Sequence, residues 1–267
     1  RYNQPEQLYI LYLLARGLLF LRQNNIEKAA HEFFEMLPKQ IQDEEDLLKY
    51  RYSVQMIIEF IYGICPDVDL MKLFDEIAKN FPNQFDKAIF YHNFVGTYVS
   101  QLGLLDLALE CFNRALEFAI DNEQKSSILT SIGSIYTAMR KYDEAMKYYN
   151  EALKFYDKNA MTYRNIAINY GFMTRFVDAL DYIEKAIRFA RNDDERRYYL
   201  EDKIRIEQLA KYMIQLELVR SREAKRFLST AEKLSLEKIV IPLISKRVHT
   251  IDEDLSYITL MYAKGLE

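Results

Sequence analysis

Residues 126–159 read SSILTSIGSIYTAMRKYDEAMKYYNEALKFYDKN, and the order of side-chain sizes in that string decides the fold. Leu129, Ile132, Gly133 and Tyr136 are followed by Tyr142, Ala145, Tyr149 and Ala152. Spacings of three and four place each set on one face of a helix, with a break near Arg140-Lys141 between the two. Shifting by 34 residues gives Tyr163, Ile166, Ala167 and Tyr170, then Phe176, Ala179, Ile183 and Ala186, the same size order with no gap. Two antiparallel helices approach tightly where small residues meet, so Gly133 and Ala167 are expected opposite Ala145 and Ala179, with larger residues filling the flanks.

Working outward, Arg140-Lys141-Tyr142-Asp143 and Thr174-Arg175-Phe176-Val177 read as the turns within these two units, and Asp143 and Asp178 suit a helix N-terminus. Upstream, His92, Val95, Gly96 and Val99 precede Leu105, Ala108, Phe112 and Ala115, a third unit with a short extension before Ser126. Leu13, Gly17 and Phe20 precede Ile26, Ala29, Phe33 and Met36, a fourth with Gln23-Asn24-Asn25 as its turn and Arg16 at an apolar position. Between them, helices near 47–62 and 68–80 are split by Gly63-Ile64-Cys65-Pro66-Asp67, where Pro ends one helix and Asp can cap the next. From Asp193 to about Arg220 the pattern is a long charged helix.

An uninterrupted period of this length with this size order resembles the tetratricopeptide repeat (TPR). The resemblance implies an all-α solenoid, a right-handed superhelix of about six antiparallel helix pairs. Its expected limits are 10–43, a degenerate 44–88, 89–125, 126–159, 160–193, a degenerate 194–234 and capping helices over 235–264, in one domain spanning 1–265. Leu266-Glu267 resembles a tag scar and Arg1 stands where Met would open a gene, so an upstream domain is an expectation too.

Family geometry also implies that the first helix of each repeat lines a concave groove. Residues there outside the packing pattern are the candidate peptide contacts: Asn93, Thr97 and Gln101, then Ser127, Thr130, Ser134 and Thr137, then Arg164 and Asn165. Ser and Thr are not favoured inside helices, so four on one stripe carry a propensity cost without a packing reason. A groove for a peptide explains them, since short hydroxyls leave room and Asn or Gln can pair with both sides of a peptide bond. A solvated polar face is the competing explanation. Of the lysine, asparagine and arginine clamp of the chaperone-binding TPR subset only Asn165 has a counterpart, so that role is set aside.

Composition narrows the rest. With 7 Gly and 5 Pro, turn-rich all-β folds are disfavoured, and with 21 Tyr, 16 Phe and no Trp the core is aromatic. Cys65 and Cys111 have no CxxC spacing and His31, His92 and His249 are scattered, so no metal and no cofactor is expected. No phosphate-binding, dinucleotide, zinc-protease or nucleophile-elbow motif occurs, which points away from an enzyme. His92 reads as a packing residue and Cys111 as a buried small hydrophobe. No signal peptide or long apolar run is present, and the cytoplasm is the expected compartment.

The charge is −4 overall and uneven: residues 1–125 hold 12 Lys and Arg against 19 Asp and Glu. The basic residues Arg188, Arg191, Arg196, Arg197, Lys203 and Arg205, then Arg220, Arg222, Lys225 and Arg226, interleave with acidic ones. That pattern favours helical surface pairing over direct nucleic-acid binding. A protein or peptide ligand in the groove is the leading expectation. The chain resembles, less closely, the TPR sensor domains of bacterial peptide-responsive transcription regulators, which implies a sensor role. The alternative is a scaffold or assembly factor docking through convex or terminal surfaces, with a homodimer as one form and no membrane contact.

Overall fold

The computed structural model describes residues 4–38 and 41–220, with side chains to 213. Among them the chain is helical without strands: α1 (Gln4–Arg22), α2 (Ile26–Glu35), α3 (Glu44–Ile64), α4 (Leu70–Ala78) and α5 (Gln84–Ile89). The π-helical segment Phe90–Gly96 leads into α6 (Thr97–Gln101), and then follow α7 (Leu105–Phe118), α8 (Asn122–Ala138), α9 (Tyr142–Phe155), α10 (Ala160–Phe172), α11 (Phe176–Arg188) and α12 (Asp193–Arg220). The helices expected beyond residue 220 lie outside the described residues.

One turn recurs four times. Asn24, Gly103, Arg140 and Thr174 have φ of 56°, 76°, 59° and 58°, each two residues before the second helix of a pair. The next amide in each case donates five residues back: Asn25 to the Phe20 carbonyl at 2.8 Å, Leu104 to Val99 at 3.0 Å, Lys141 to Tyr136 at 2.8 Å, Arg175 to Tyr170 at 2.9 Å. A left-handed residue closing a helix and turning the chain back satisfies carbonyls the helix end would orphan. Glycine adopts it freely, asparagine with little penalty, and β-branched Thr174 only under constraint from the pair it joins.

The pairs close through one size rule. A Cβ added to Gly133 would lie 2.5 Å from the Tyr149 ring, and one added to Gly96 2.5 Å from the Phe112 ring; Gly17 meets Phe33 in the same way. The glycine on the first helix thus admits an aromatic ring sixteen residues on, and Ala145, expected opposite Gly133, is itself fully buried. A ring is worth about 2 to 3 kcal/mol when fully buried, so the rule places the strongest packing at the tightest crossing. In the fourth pair the corresponding residues are Ala167 and Ile183, both fully buried.

Three elements depart from the expected limits. Helix α3 starts at Glu44 because the Asp43 side chain accepts the Asp46 amide at 2.9 Å, and α4 is capped by Asp69, which accepts from Lys72 at 3.0 Å, not by Asp67. The first helix of the third repeat starts at Gln84, not near 89, with Asn83 accepting the Asp86 amide at 2.9 Å.

Packing divides the described residues into two units, with the division between Asp157 and Lys158. The first is built around a continuous apolar core from α1 to α9, including Phe33, Ile58, Phe74, Tyr91 and Ile128. Arg16, the polar intruder at an apolar position, reaches Glu32 on α2 at 2.9 Å, which neutralises that largely buried carboxylate. In the second unit, Ala167, Ala179, Ile183, Ala186, Tyr199 and Ala210 join α10, α11 and α12.

Candidate peptide-binding face

In the first unit the polar candidates fall on two first helices, the π segment with α6 and α8. A π turn routes hydrogen bonds five residues back and often marks functional segments. Here the Thr97 amide and hydroxyl both reach the His92 carbonyl, the hydroxyl at 2.9 Å. Gly96 makes the turn possible, because a Cβ there would also sit 2.6 Å from the Tyr91 carbonyl. Asn93, Thr97 and Gln101, spaced by four, are exposed, and the Asn93 and Gln101 amides make no hydrogen bond.

On α8 the predicted stripe separates. Ser127 is exposed and its hydroxyl has no partner, and Ser134 is half-buried, donating to the Thr130 carbonyl at 3.2 Å. Thr130 and Thr137 are buried, which removes them from an open face. Thr130 donates to the Ser126 carbonyl at 2.7 Å, and Thr137 to the Gly133 carbonyl at 3.2 Å with the Tyr149 hydroxyl 3.0 Å away. A hydroxyl bonded to the carbonyl four residues back is satisfied locally and can be packed like a methyl.

The two helices are joined by a pair that sequence reasoning did not assemble: His92 Nε2 lies 2.8 Å from Ser131 Oγ. His92 also meets the edge of the Phe112 ring at 5.5 Å. Burial pushes the imidazole down to about 4, so it is neutral at pH 7. It packs as the sequence suggests. Ser131 is four residues past Ser127 and bonds back to its carbonyl at 3.3 Å, the one signal that could have singled it out. A second link joins α6 to α3, where the Tyr98 hydroxyl donates to Glu59, which also accepts from Gln55 at 2.9 Å.

Farther along the first unit a groove runs between α1 and α3, lined by Ile10, Leu11, Leu48, Tyr52 and Met56 with Gln7, Lys49, Arg51 and Gln55. Leu11, Leu48 and Tyr52 stay 47%, 59% and 53% exposed. Sequence reasoning overlooked it, although Leu8, Leu11, Tyr12, Leu48 and Tyr52 are apolar beyond what the core faces of the helices need.

In the second unit Arg164 is not a surface contact. It is buried, donates from Nε to Asp202 and from Nη2 to the Tyr198 hydroxyl at 2.8 Å, and stacks 4.6 Å from the Tyr198 ring centre. Its charge is consumed in tying α10 to α12. Asn165 beside it is half-buried and 3.4 Å from Arg164 Nη1. Among the basic residues on α12, Lys203 pairs with Glu184, Arg197 with Asp194, and Arg205 with Glu201 and Asp202. Arg222, Lys225 and Arg226 lie outside the described residues.

Cys111 is buried with its sulfur 3.5 Å from that of Met71, and burial raises its thiol, leaving no reactive thiolate. Cys65 is half-buried and His31 is exposed. Among the described residues no group of three His, Cys, Asp or Glu could hold a metal, and no helix is long and apolar enough to cross a membrane.

No curated protein matches the sequence. Among solved structures, the chain is similar to YrrB, described as a TPR protein with an unusual peptide-binding site, at 18% identity over 71% of this chain and 90% of that one, TM-score 0.39. It is also similar to PilF of Pseudomonas aeruginosa (14% identity, 85% and 100% covered, TM-score 0.38) and to a Rap protein complexed with competence and sporulation factor (16%, 88% and 80%, TM-score 0.38). At these scores the likenesses carry no functional argument. The family model for the tetratricopeptide repeat matches residues 86–158, the segment that holds the π turn, α8 and α9. By the repeated turn, the glycine-to-ring crossings and this match, residues 86–158 carry tetratricopeptide repeats.

Proposed function

We propose that the chain is a non-catalytic module that binds a protein or peptide segment on the face shared by the π segment, α6 and α8. The observation that carries this reading is the open polar set Asn93, Gln101 and Ser127, with hydrogen-bonding groups unused by the fold. They stand on two helices held together by His92 and Ser131. An amide that already points outward without a partner loses little on meeting a peptide bond, because its fixed position lowers the ordering cost. The face takes main-chain groups rather than a particular side chain, since Asn93, Gln101 and Ser127 offer amides and a hydroxyl. A sensor role in a bacterial regulator is the finer version, in which the bound segment would be a signalling peptide.

The test uses peptides selected from a random library on the immobilised protein. Asn93→Trp and Ser127→Trp fill the face without touching the core. Affinity should fall at least about tenfold, roughly 1.4 kcal/mol, with unchanged circular dichroism. Unchanged affinity in both variants would overturn the assignment.

A further inference from the structure

With 21 tyrosines and no tryptophan, tyrosine is the most easily oxidised aromatic side chain in the protein. Two of them face each other across the α8–α9 pair. The Tyr136 ring on α8 and the Tyr148 ring on α9 stack with centroids 5.0 Å apart and planes 12° from parallel. Both are half-buried, so the stack is open to small molecules in water. The Tyr136 hydroxyl, ahead of burial, raises the Tyr148 phenol above its ordinary value, which puts the two oxygens at the same end of the stack. The ring carbons beside those oxygens, where a phenoxyl radical carries much of its spin, are therefore neighbours. The helices hold this pairing, since the next residue along each, Thr137 and Tyr149, joins its partner at 3.0 Å in the core.

Charge favours this pair over other tyrosine contacts. Loss of an electron is opposed by a nearby cation and eased by a nearby anion. Lys141 lies 5.9 Å from the centre of the Tyr136 ring, and the negative charge of Glu151 acts on Tyr148. In the second unit Tyr170 and Tyr182 are 5.4 Å apart but 41° from parallel, with Arg175 and Lys185 over their faces at 4.6 and 4.3 Å. Tyr163 and Tyr182 are farther apart, 6.2 Å at 36°.

We propose that Tyr136 and Tyr148 form an oxidative cross-linking site, at which a one-electron oxidant such as a peroxide-derived radical joins α8 to α9 through a dityrosine bond. Each phenol gives one electron to the oxidant and its hydroxyl proton to water, leaving two phenoxyl radicals. A carbon–carbon bond forms between the ring carbons beside the two oxygens. The hydrogens on those carbons then move to the oxygens and restore both phenols, so the chain loses two hydrogens and two equivalents of oxidant are reduced. A stack already in place makes the coupling intramolecular. The tie closes a short loop across the Arg140 turn, which restricts the unfolded chain and fastens the pair. The site does not rest on the polar face as a ligand site.

The test exposes the full chain, dilute enough to keep copies apart, to a flash of visible light with tris(bipyridyl)ruthenium and persulfate, a source of one-electron oxidants. After digestion with trypsin, which cuts at Arg140 and Lys141, mass spectrometry should find peptide 126–140 joined to peptide 148–154 through Tyr136 and Tyr148, two hydrogens lighter than their sum. This product should exceed any other tyrosine–tyrosine cross-link by at least about fivefold. Tyr136→Phe and Tyr148→Phe keep the stacked ring and should each remove the product with most of the dityrosine fluorescence, and unfolding in urea should remove the preference. Absence of the product, a larger yield at Tyr170 and Tyr182, or the same preference in urea would overturn the inference. Amide exchange over residues 122–155 should slow in the cross-linked chain relative to Tyr148→Phe treated in the same way; equal exchange would overturn the claim that the tie fastens the pair.

Discussion

The π segment with α8 and the groove between α1 and α3 occupy the first helices of successive repeats in one unit, yet one face is polar and the other apolar. The backbone plan is the same in both: a helix pair, and for α1–α2 and α6–α7 the same left-handed turn at Asn24 and Gly103. What differs is which side chains the core leaves over. Around α8 the core takes Ile128, Ile132 and Gly133 and even two threonines, so what remains outside is Ser127 and, on the neighbouring helix, Asn93 and Gln101. On α1 and α3 the core takes Leu13, Leu14, Val54 and Ile58, and more apolar residues remain than it can cover. The chemistry of the exposed face can thus change from repeat to repeat while the packing rule stays fixed.

Substitutions separate what is packing from what is recognition. The largest effect is expected at Arg164, which the sequence assigns to a ligand and the structure to Asp202. Arg164→Ala leaves a buried carboxylate with only Arg205 beside it and should destabilise the protein by about 3 kcal/mol in chemical denaturation. Selected peptides should still bind under folding conditions. A loss of peptide affinity with unchanged stability would return Arg164 to the ligand site.

Gly96→Ala comes next. The added methyl meets both the Phe112 ring and the Tyr91 carbonyl, and about 1 to 3 kcal/mol of stability should be lost as α6 and α7 are pushed apart. Because the strain lies under the polar face, library peptides should weaken as well. Lost stability with unchanged peptide affinity would mean that the strain does not reach the face.

The smallest effect concerns pH. His92 titrates near 4 when folded against about 6.5 when unfolded, so between those values the unfolded chain binds more protons. Stability should be full above about pH 6.5 and fall on acidification toward pH 4. In His92→Leu that component of the pH dependence should vanish. An identical profile in the variant would refute the assignment.

Much of this architecture can be read from residues alone, for a physical reason: close packing repeats, and so does its size order. The spacing from Gly133 to Tyr149 and from Gly17 to Phe33 is the same crossing met twice, and Asn24 and Arg140 mark the same turn. The π turn leaves no such mark, because Ala88, Tyr91, Val95 and Val99 keep helical spacing through it. Thr130 and Thr137 mislead because hydroxyl polarity is cancelled by a carbonyl on the same helix. Arg164 misleads because its partner stands 38 residues away on another element. The polar face was legible in part, at Asn93, Thr97, Gln101 and Ser127, while Ser131 and the α1–α3 groove emerge only once neighbouring helices are placed.

The most direct test is amide hydrogen exchange of the intact protein with and without a library-selected peptide. Slowed exchange should concentrate in residues 84–101 and 122–138, the two helices joined by His92 and Ser131. Protection confined to other helices, or none at saturating peptide, would contradict the claim that this face binds the ligand.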